Sequence, residues 1–285
     1  SEMTRLAREA GAASVADYER QLRADPSMRF ESRQAMLDAA TDTLTRVQPV
    51  LSRLFLRLPR TRVGVRPIPP DQEAASASHY DAGTPDGSRS AWFSLRTYRP
   101  EDQLRYPLES LVLHETVPGH HLQVGLALEQ EGVHPFQRGL SIAAFEEGWA
   151  LYAESLGDDL GVVYRDRPAR FGRLASERFR AVRLVVDTGL HAQGWSRNRA
   201  REYFSAHAPD QSLSEVDRYI AWPGQALAYK AGEMRIRELR HRAEQRLGAR
   251  FDLRAFHDVV LRNGAIPLSM LEEAVDAWLA APRAN

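Results

Sequence analysis

Histidine and glutamate residues cluster near the middle of this 285-residue chain, where an apolar run leads into His114-Glu115 and the pair His120-His121 follows closely. Imidazole nitrogens and carboxylate oxygens are standard ligands of a catalytic Zn²⁺, and a glutamate next to the first ligand can act as a general base. In the usual helical arrangement a second histidine lies one turn after the first, but that position is Pro118 here. The segment therefore predicts a metal site with altered spacing.

Pro118 and Gly119 should end the helix that carries His114, because proline removes a backbone donor and clashes with the preceding turn. On an unbroken helix His121 would share the face of His114, but seven residues of rise separate the two by about 10 Å. That separation is too long for two zinc–nitrogen bonds of about 2 Å. A break allows either later histidine to return towards His114. We favour His120 as the second ligand and keep His121 as the alternative.

A second helical segment carries carboxylates among apolar residues, from Phe145 to Glu154. A catalytic zinc commonly takes three protein ligands, such as two histidines and one glutamate, and leaves one position for water. An unpaired carboxylate in an apolar setting is costly. Glu147 and Glu154 lie seven residues apart on one helix face, so one of them can bind the metal while the other supports it. We expect Glu146 to lie on a solvated face.

The two segments together resemble a known bacterial family. His-Glu-x-x-Pro-Gly-His-His-Leu-Gln followed by Glu-Gly-Trp-Ala-Leu-Tyr-Ala-Glu is similar to the "domain of unknown function 885" family, whose members are predicted to belong to the gluzincin clan of zinc metallopeptidases. The resemblance begins at about Phe30 and corresponds to the C-terminal half of family members. The resemblance implies a mainly α (α+β) fold: a helical zinc-metallopeptidase-like domain with a small antiparallel sheet next to the metal-binding helix.

The arrangement is also similar to the dipeptidyl peptidase III family, which takes its third ligand from the second glutamate of a Glu-Glu pair. This similarity implies that His114, His120 and Glu147 bind the metal and that Glu115 is the general base. Glu154 then supports the ligands from outside the coordination sphere. That family has one residue inserted between its two histidine ligands, whereas this chain has two. His121 therefore stays open as the alternative to His120.

A long predicted helix carries Arg183, Asp187 and His191, spaced four residues apart and so on one face. We predict that Asp187 accepts a hydrogen bond from a ligand histidine and that His191 donates one to a developing oxyanion. A surface ladder of ionic contacts is the alternative explanation for these three residues.

A later aromatic and polar cluster contains Tyr229, which we predict to act as an electrophilic hydroxyl; packing in the core is the alternative. Lys230 or Arg235 is a candidate for binding a substrate carboxylate. The apolar stretch at residues 91–95 is predicted to form a strand. We expect its residues 92–95 to line the cleft and to pair with an extended peptide by edge addition; an ordinary small sheet is the alternative.

Helical periodicity dominates the rest of the chain, with two predicted strands before the histidine segment. We predict a single catalytic-type domain over residues 1–285. Its parts are a helical N-terminal segment at about 1–58, a small sheet region at about 60–100 and a helical metal-site region at about 104–285. The main predicted helices and strands are 15–58, 63–70, 91–95, 107–117, 142–156 and 171–191.

Composition excludes several functions. The chain has 38 basic and 38 acidic residues, so no net field favours nucleic acid or an anionic membrane. It has no cysteine, which excludes disulfides, thiolate zinc sites and cysteine nucleophiles. No apolar run is long enough for membrane insertion. The first residues form no apolar secretory core, so a cytoplasmic location is the default, with a periplasmic or lipoprotein origin open for a longer natural chain.

These observations predict a zinc-dependent hydrolase that holds one Zn²⁺ and acts on a peptide or small acyl substrate. The alternative is a metal-bearing binding or scaffolding domain without turnover, or an inactive fragment of a larger peptidase. Glu115 favours the enzyme, because a structural zinc site has no use for a carboxylate beside its ligand. The sequence predicts no oligomeric state.

Overall fold

The computed structural model describes residues 1–281, which are mainly helical. Along the chain, the three strands of a small sheet come between the third and fourth helices. The helices are α1 (Glu2–Glu9), α2 (Val15–Ala24), α3 (Arg33–Val47), α4 (Leu108–Glu115), α5 (His120–Leu128), α6 (Pro135–Arg138), α7 (Ala143–Ser155), α8 (Gly157–Leu160), α9 (Arg167–Ala192), α10 (Arg197–His207), α11 (Ser214–Ala221), α12 (Ala228–Leu247), α13 (Leu253–Leu261) and α14 (Leu268–Ala280). The strands are β1 (Val63–Pro67), β2 (His79–Asp81) and β3 (Ala91–Leu95). Short 3₁₀ segments lie at Pro26–Met28, Gln48–Arg53, Pro100–Asp102, Gln225–Leu227 and Gly248–Arg250.

The predicted mainly helical character is confirmed, and the three helices expected around the site appear as α4, α7 and α9. The predicted segment 15–58 is divided into α2, α3 and a 3₁₀ segment. Ser32 begins α3 by accepting a hydrogen bond from the amide of Ala35. Helix α1 lies before this segment, within the predicted helical N-terminal part at about 1–58. The predicted region 104–285 extends into residues 282–285, which lie outside the described residues.

The sheet is mixed, which corrects the prediction of an antiparallel one. Its strand order is β1-β3-β2; β1 pairs with β3 in parallel, and β2 pairs with β3 antiparallel. Strand β2 comes from the polar stretch that separates the two predicted strands, so the chain reverses twice between β1 and β3. Because β3 is central and has a neighbour on each side, it offers no free edge to a peptide, and the predicted edge addition at β3 is wrong.

Helix α7 runs through the core, where Trp149 is fully buried, and it packs against α4, α5, α9 and α12. Its approach to α12 is close because two glycines meet: a Cβ added to Gly148 would lie 2.5 Å from the Cα of Gly232. This contact brings Tyr229, one turn before Gly232, to the same region as Glu147, the neighbour of Gly148. No helix within residues 1–281 is both long enough and apolar enough to cross a membrane.

Candidate metal centre

A sharp reversal between α4 and α5 places the histidines. Helix α4 ends at Glu115 and α5 begins at His120, and between them the amide of Gly119 donates to the carbonyl oxygen of Leu113 at 3.0 Å. A Cβ at position 119 would lie 2.0 Å from the carbonyl oxygen of His114, so the turn requires glycine. The predicted helix break is confirmed, and the chain folds back onto the end of α4.

Three of the predicted ligands converge after this reversal. The possible ligand atoms of His114, His120 and Glu147 all lie within 4.8 Å of one another. Glu147 Oε2 is 3.4 Å from His114 Nε2 and 3.5 Å from His120 Nε2. The two imidazole rings are nearly perpendicular, at 87°, with their centroids 4.8 Å apart. Two nitrogens and one oxygen thus face a common point, as three ligands of one tetrahedral ion would.

The far side of His114 is held by a carboxylate. Nδ1 of His114 donates to Glu154 Oε1 at 2.8 Å, and the hydroxyl of Ser110 donates to the other oxygen of Glu154. His114, Ser110 and Glu154 are all buried. A ligand histidine normally donates its free N–H to such an acceptor, which fixes the ring orientation and leaves Nε2 for the metal. Glu154 therefore has the supporting position predicted for it.

The electrostatics of the cluster favour a positive charge. Burial alone would lower the pKa of His114, but Glu147 and Glu154 outweigh it and raise that pKa to about 10. Burial likewise raises the pKa of Glu147, yet His114 and His120 more than offset this and hold the pKa well below its usual range. Protons can supply this positive charge, and a divalent cation would satisfy the same carboxylates.

His121, the alternative ligand, points elsewhere. Its Nε2 donates to the carbonyl oxygen of Thr61 at 2.9 Å, and its Nδ1 accepts from the hydroxyl of Tyr80 at 3.1 Å. Burial lowers the pKa of His121 to about 4, so the ring is neutral, as these two hydrogen bonds require. His121 ties the start of α5 to the sheet region. Geometry thus favours His120 over His121 as the second metal ligand.

Two of the predicted supporting residues are not brought to the metal ligands. Asp187 accepts from the amide of Gly224 at 3.1 and 3.2 Å, so the prediction that it orients a ligand histidine is wrong, and Glu154 occupies that position. His191 donates through Nε2 to the carbonyl oxygen of Tyr219 at 2.9 Å. Its free N–H is therefore used, and the predicted role at an oxyanion is corrected. Both residues instead hold α9 against the segment around α11.

Glu115 and Tyr229 do lie with the ligands, in a cleft of about 830 Å³. Glu115 is the last residue of α4, next to the first ligand in the chain, and is only 8% exposed. The ring of Tyr229 stacks on that of His114 with centroids 6.1 Å apart and planes 16° apart. Apolar and aromatic residues also line the cleft, among them Leu111, Val124, Phe179 and Tyr80.

Several contacts that shape the centre were absent from the sequence predictions. Trp149 donates its indole N–H to the carbonyl oxygen of Pro118 at 2.9 Å, inside the turn that separates the histidines. Gly148 permits the close contact with α12. Gly148 and Trp149 follow Glu147 directly in the Glu-Gly-Trp motif. A small residue and a large aromatic residue beside a candidate ligand were the features of the sequence that could have indicated these contacts. Three cleft-lining arginines were also missed as a group: Arg180, Arg183 and Arg218.

The donor set fits a divalent cation. Two imidazoles and one carboxylate suit zinc and also other first-row metals. Glu147 Oε2 is buried and makes no hydrogen bond with residues 1–281, so a buried oxygen aimed at the two nitrogens is left without a donor. A cation between the three groups would satisfy it.

The family profile described as "bacterial protein of unknown function (DUF885)" matches residues 1–275. The chain belongs to this family. The resemblance predicted from the His-Glu and Glu-Gly-Trp motifs is thereby confirmed. No curated protein matches the chain.

Two solved structures resemble this member of the family. One is the crystal structure of a presumed lipoprotein from Colwellia psychrerythraea, with a sequence identity of 35% and a TM-score of 0.93. The match covers 97% of this chain and 49% of the relative. The other is a presumed lipoprotein of unknown function from Shewanella oneidensis, with a sequence identity of 19% and a TM-score of 0.80. The match covers 95% of this chain and 53% of the relative. The second likeness shows the fold alone. The chain spans about half the length of either relative.

Proposed function

We propose that this chain is a metal-dependent hydrolase of the metallopeptidase type, with one Zn²⁺ held by His114, His120 and Glu147. The observation that carries the proposal is the convergence of their ligand atoms within 4.8 Å in a cleft. The hydrogen bond from His114 to Glu154 supports it, because a buried carboxylate behind a ligand histidine is the usual support of a zinc site. Three protein ligands are the usual number in catalytic zinc sites.

The remaining side chains have defined tasks in this proposal. A bound zinc supplies Lewis acidity, which makes water a stronger acid and polarises a substrate carbonyl. Glu115 accepts a proton from the attacking water and transfers it to the departing amine. The hydroxyl of Tyr229 donates to the oxygen of the substrate carbonyl as negative charge develops there. Glu154 keeps His114 in the orientation that presents Nε2.

The cleft supports a peptide or small acyl compound as the substrate. Its volume of about 830 Å³ lies in the range of roughly 300–1,000 Å³ that is common for small-ligand sites. Apolar and aromatic residues on its walls can contact side chains of a short peptide, and charged residues, among them the candidate ligands, also line the cleft. We propose a peptide amide as the bond that is cleaved.

The lipoprotein description of the Colwellia psychrerythraea relative favours the cell envelope over the default cytoplasmic expectation. We propose that the natural protein works there. Fractionation of the native bacterium with an antibody against this chain tests the proposal. Recovery in the envelope fraction supports it, and recovery in the cytosol contradicts it.

Metal analysis and peptide hydrolysis of a few variants test the enzymatic proposal. The wild type should bind one zinc per chain. Glu147→Ala should lose zinc affinity at least a hundredfold, because one of three protein ligands is removed. Glu115→Gln should retain zinc and lose hydrolysis by about 10²–10⁴-fold, the usual contribution of a general base. Glu146→Gln is the matched control, since Glu146 lines the same cleft but bonds to Ser141.

Three outcomes would contradict parts of this proposal. Unchanged zinc binding in Glu147→Ala removes the third ligand. Unchanged hydrolysis in Glu115→Gln removes the general base. Tight zinc binding by a wild type that hydrolyses no peptide in a broad library favours the alternative of a metal-bearing binding or scaffolding domain.

A further inference from the structure

A group of arginines shares the cleft with the metal ligands. Arg180 and Arg183 lie on α9 and Arg218 lies on α11, and all three line the cleft. They surround Tyr229: the guanidinium carbon of Arg183 lies 4.3 Å from the centroid of that ring, and that of Arg180 lies 4.4 Å from it. Arg183 is only 1% exposed, which is unusual for an arginine without an ionic partner.

The positive charge of this group is poorly matched. Arg183 and Arg218 both donate to the neutral amide oxygen of Gln225, at 3.2 and 3.1 Å. The buried Nε atoms of Arg180 and Arg183 have no hydrogen-bond partner within residues 1–281. The nearby acidic side chains include Glu215, whose carboxylate lies 3.6 Å from Arg218, and Glu154, whose pKa is lowered in part by the charge of Arg180. A buried, unpaired guanidinium is costly, so the site is suited to an anion that supplies the missing acceptors.

The two cations predicted to bind a substrate carboxylate differ from this group. Lys230 contacts the carboxylates of Glu177 and Glu233 at 2.7 and 2.8 Å. Arg235 pairs with Glu238 and Glu272. Both are already neutralised by their own ion pairs, so neither is free to bind a substrate, and that prediction is corrected.

Tyr229 relates the arginines to the metal ligands. Its ring centroid is 6.1 Å from that of His114, and the guanidinium carbon of Arg183 is 4.3 Å from the same ring. An extended peptide advances about 3.3–3.6 Å per residue. The guanidinium carbon of Arg183 thus lies no farther from the His114 ring centroid than the sum of these two distances, 10.4 Å, which a C-terminal segment of one to three extended residues can span. Guanidinium groups bind carboxylates with two parallel hydrogen bonds, which suits a chain terminus.

We propose that Arg180, Arg183 and Arg218 form a subsite for the free C-terminal carboxylate of a short peptide. The carboxylate lies on the leaving-amine side of the scissile bond, so the cleft releases a short segment of one to three residues from the C-terminus. Gln225 holds two of the guanidiniums in position, and Tyr229 separates them from the metal ligands. The position of cleavage rests on the proposed function, whereas carboxylate binding by the arginines does not.

Binding of an inert probe tests the subsite without any hydrolysis. The probe is an alanyl-alanine analogue in which CH2–NH replaces the amide, prepared with a C-terminal carboxylate and with a carboxamide, and titrated by calorimetry. Wild type should bind the carboxylate form about tenfold to a hundredfold more tightly, the range of charged hydrogen bonds. Arg180→Gln should remove most of this preference, and Arg180→Lys should retain more of it. Arg246→Gln, at an exposed position of α12 outside the cleft, should leave it unchanged.

Hydrolysis of trialanine and of trialanine amide by the zinc-loaded protein then separates the two proposals. A preference for the free carboxylate that Arg180→Gln abolishes supports both. A carboxylate preference in probe binding that depends on Arg180, without hydrolysis of any peptide, retains the subsite and contradicts the proposed function. Equal binding of both probe forms to the wild type, or equal hydrolysis of both peptides, overturns the subsite and leaves the metal centre in place.

Discussion

Trp149 and Pro118 are joined by a hydrogen bond from the indole N–H to the carbonyl oxygen, 2.9 Å long and buried. Trp149 lies two residues after Glu147 on α7, and Pro118 lies in the turn between His114 and His120. The bond therefore links the helix that supplies the carboxylate to the turn that positions both imidazoles. We therefore expect the relative positions of the three candidate ligands to depend on this contact.

Replacing Trp149 with phenylalanine should weaken the metal site without touching a ligand. The substitution retains most of the apolar contact but leaves the carbonyl oxygen of Pro118 without its donor, which costs about 1–3 kcal/mol of unfolding free energy. We expect zinc affinity, measured by competition with a chelator, to fall about tenfold. Trp278→Phe on α14 is the control and should keep zinc affinity. Equal affinity of Trp149→Phe and wild type would contradict the role of this bond.

Glu154→Gln should weaken metal binding through His114. The amide oxygen can still accept from Nδ1 of His114, but the negative charge that strengthens Nε2 as a ligand is lost. Loss of such a supporting carboxylate typically lowers metal affinity about 10–100-fold. The measurement is zinc affinity by chelator competition. Asp187→Asn provides the comparison, because Asp187 bonds to the amide of Gly224 and should leave zinc affinity unchanged. If Asp187→Asn lowered zinc affinity and Glu154→Gln did not, Asp187 rather than Glu154 would be the residue that supports His114.

Gly119→Ala should destabilise the turn between the histidines. The new Cβ would meet the carbonyl oxygen of His114 at 2.0 Å, so the backbone must shift. We expect a loss of about 1–3 kcal/mol in unfolding free energy, as for overpacking, together with weaker zinc binding. Gly87→Ala tests the specificity of this effect: Gly87 has a φ of +73° and open space around it, so the variant should lose about 1–2 kcal/mol and keep zinc affinity.

Tyr229→Phe should separate turnover from substrate binding. The phenyl ring retains the contacts with His114 and the arginines, while the hydroxyl that would donate to the oxyanion is lost. We expect kcat to fall about 10²–10³-fold with little change in KM and none in zinc content. Tyr203→Phe, which alters a ring stacked on His207 away from the cleft, is the control. A Tyr229→Phe variant with wild-type kcat would assign this tyrosine to packing.

His257 should make stability depend on pH. Burial lowers its pKa from 6.5 to about 3, and the neutral ring donates to Leu54 and accepts from Tyr152. The unfolded chain takes up a proton as the pH falls through 6.5, whereas the folded chain does so only near 3. The stabilisation of the folded state by neutral His257 is therefore complete above pH 6.5 and is lost as the pH falls towards 3. Over this range the free energy of unfolding falls by up to about 1.4 kcal/mol per pH unit.

Urea unfolding between about pH 8 and 4.5 measures this dependence. His257→Gln should be less stable at high pH, because buried hydrogen bonds are lost, but its stability should fall less steeply with acid. His241→Gln, at an exposed histidine, should follow the wild type. Parallel curves for wild type and His257→Gln would show that His257 does not set the slope.

The sequence by itself predicted which residues are brought together and where the chain bends. Two histidines, a neighbouring glutamate and a later helix rich in buried carboxylates are local patterns, and Pro118-Gly119 predicts a break wherever it occurs. Helical periodicity located α4, α7 and α9 for the same reason, because the period depends only on nearby residues.

Tertiary structure decided what each of those residues faces. His120 and His121 are neighbours, and the hydrogen bonds of His121 to Thr61 and Tyr80, both distant in the chain, turn its ring away from the cluster. Glu154, rather than Asp187, meets His114 because α4 packs against α7. The strand order of the sheet and the arginines around Tyr229 likewise arise from contacts between distant segments. Local periodicity carries no information on such contacts, since they are fixed only when helices pack.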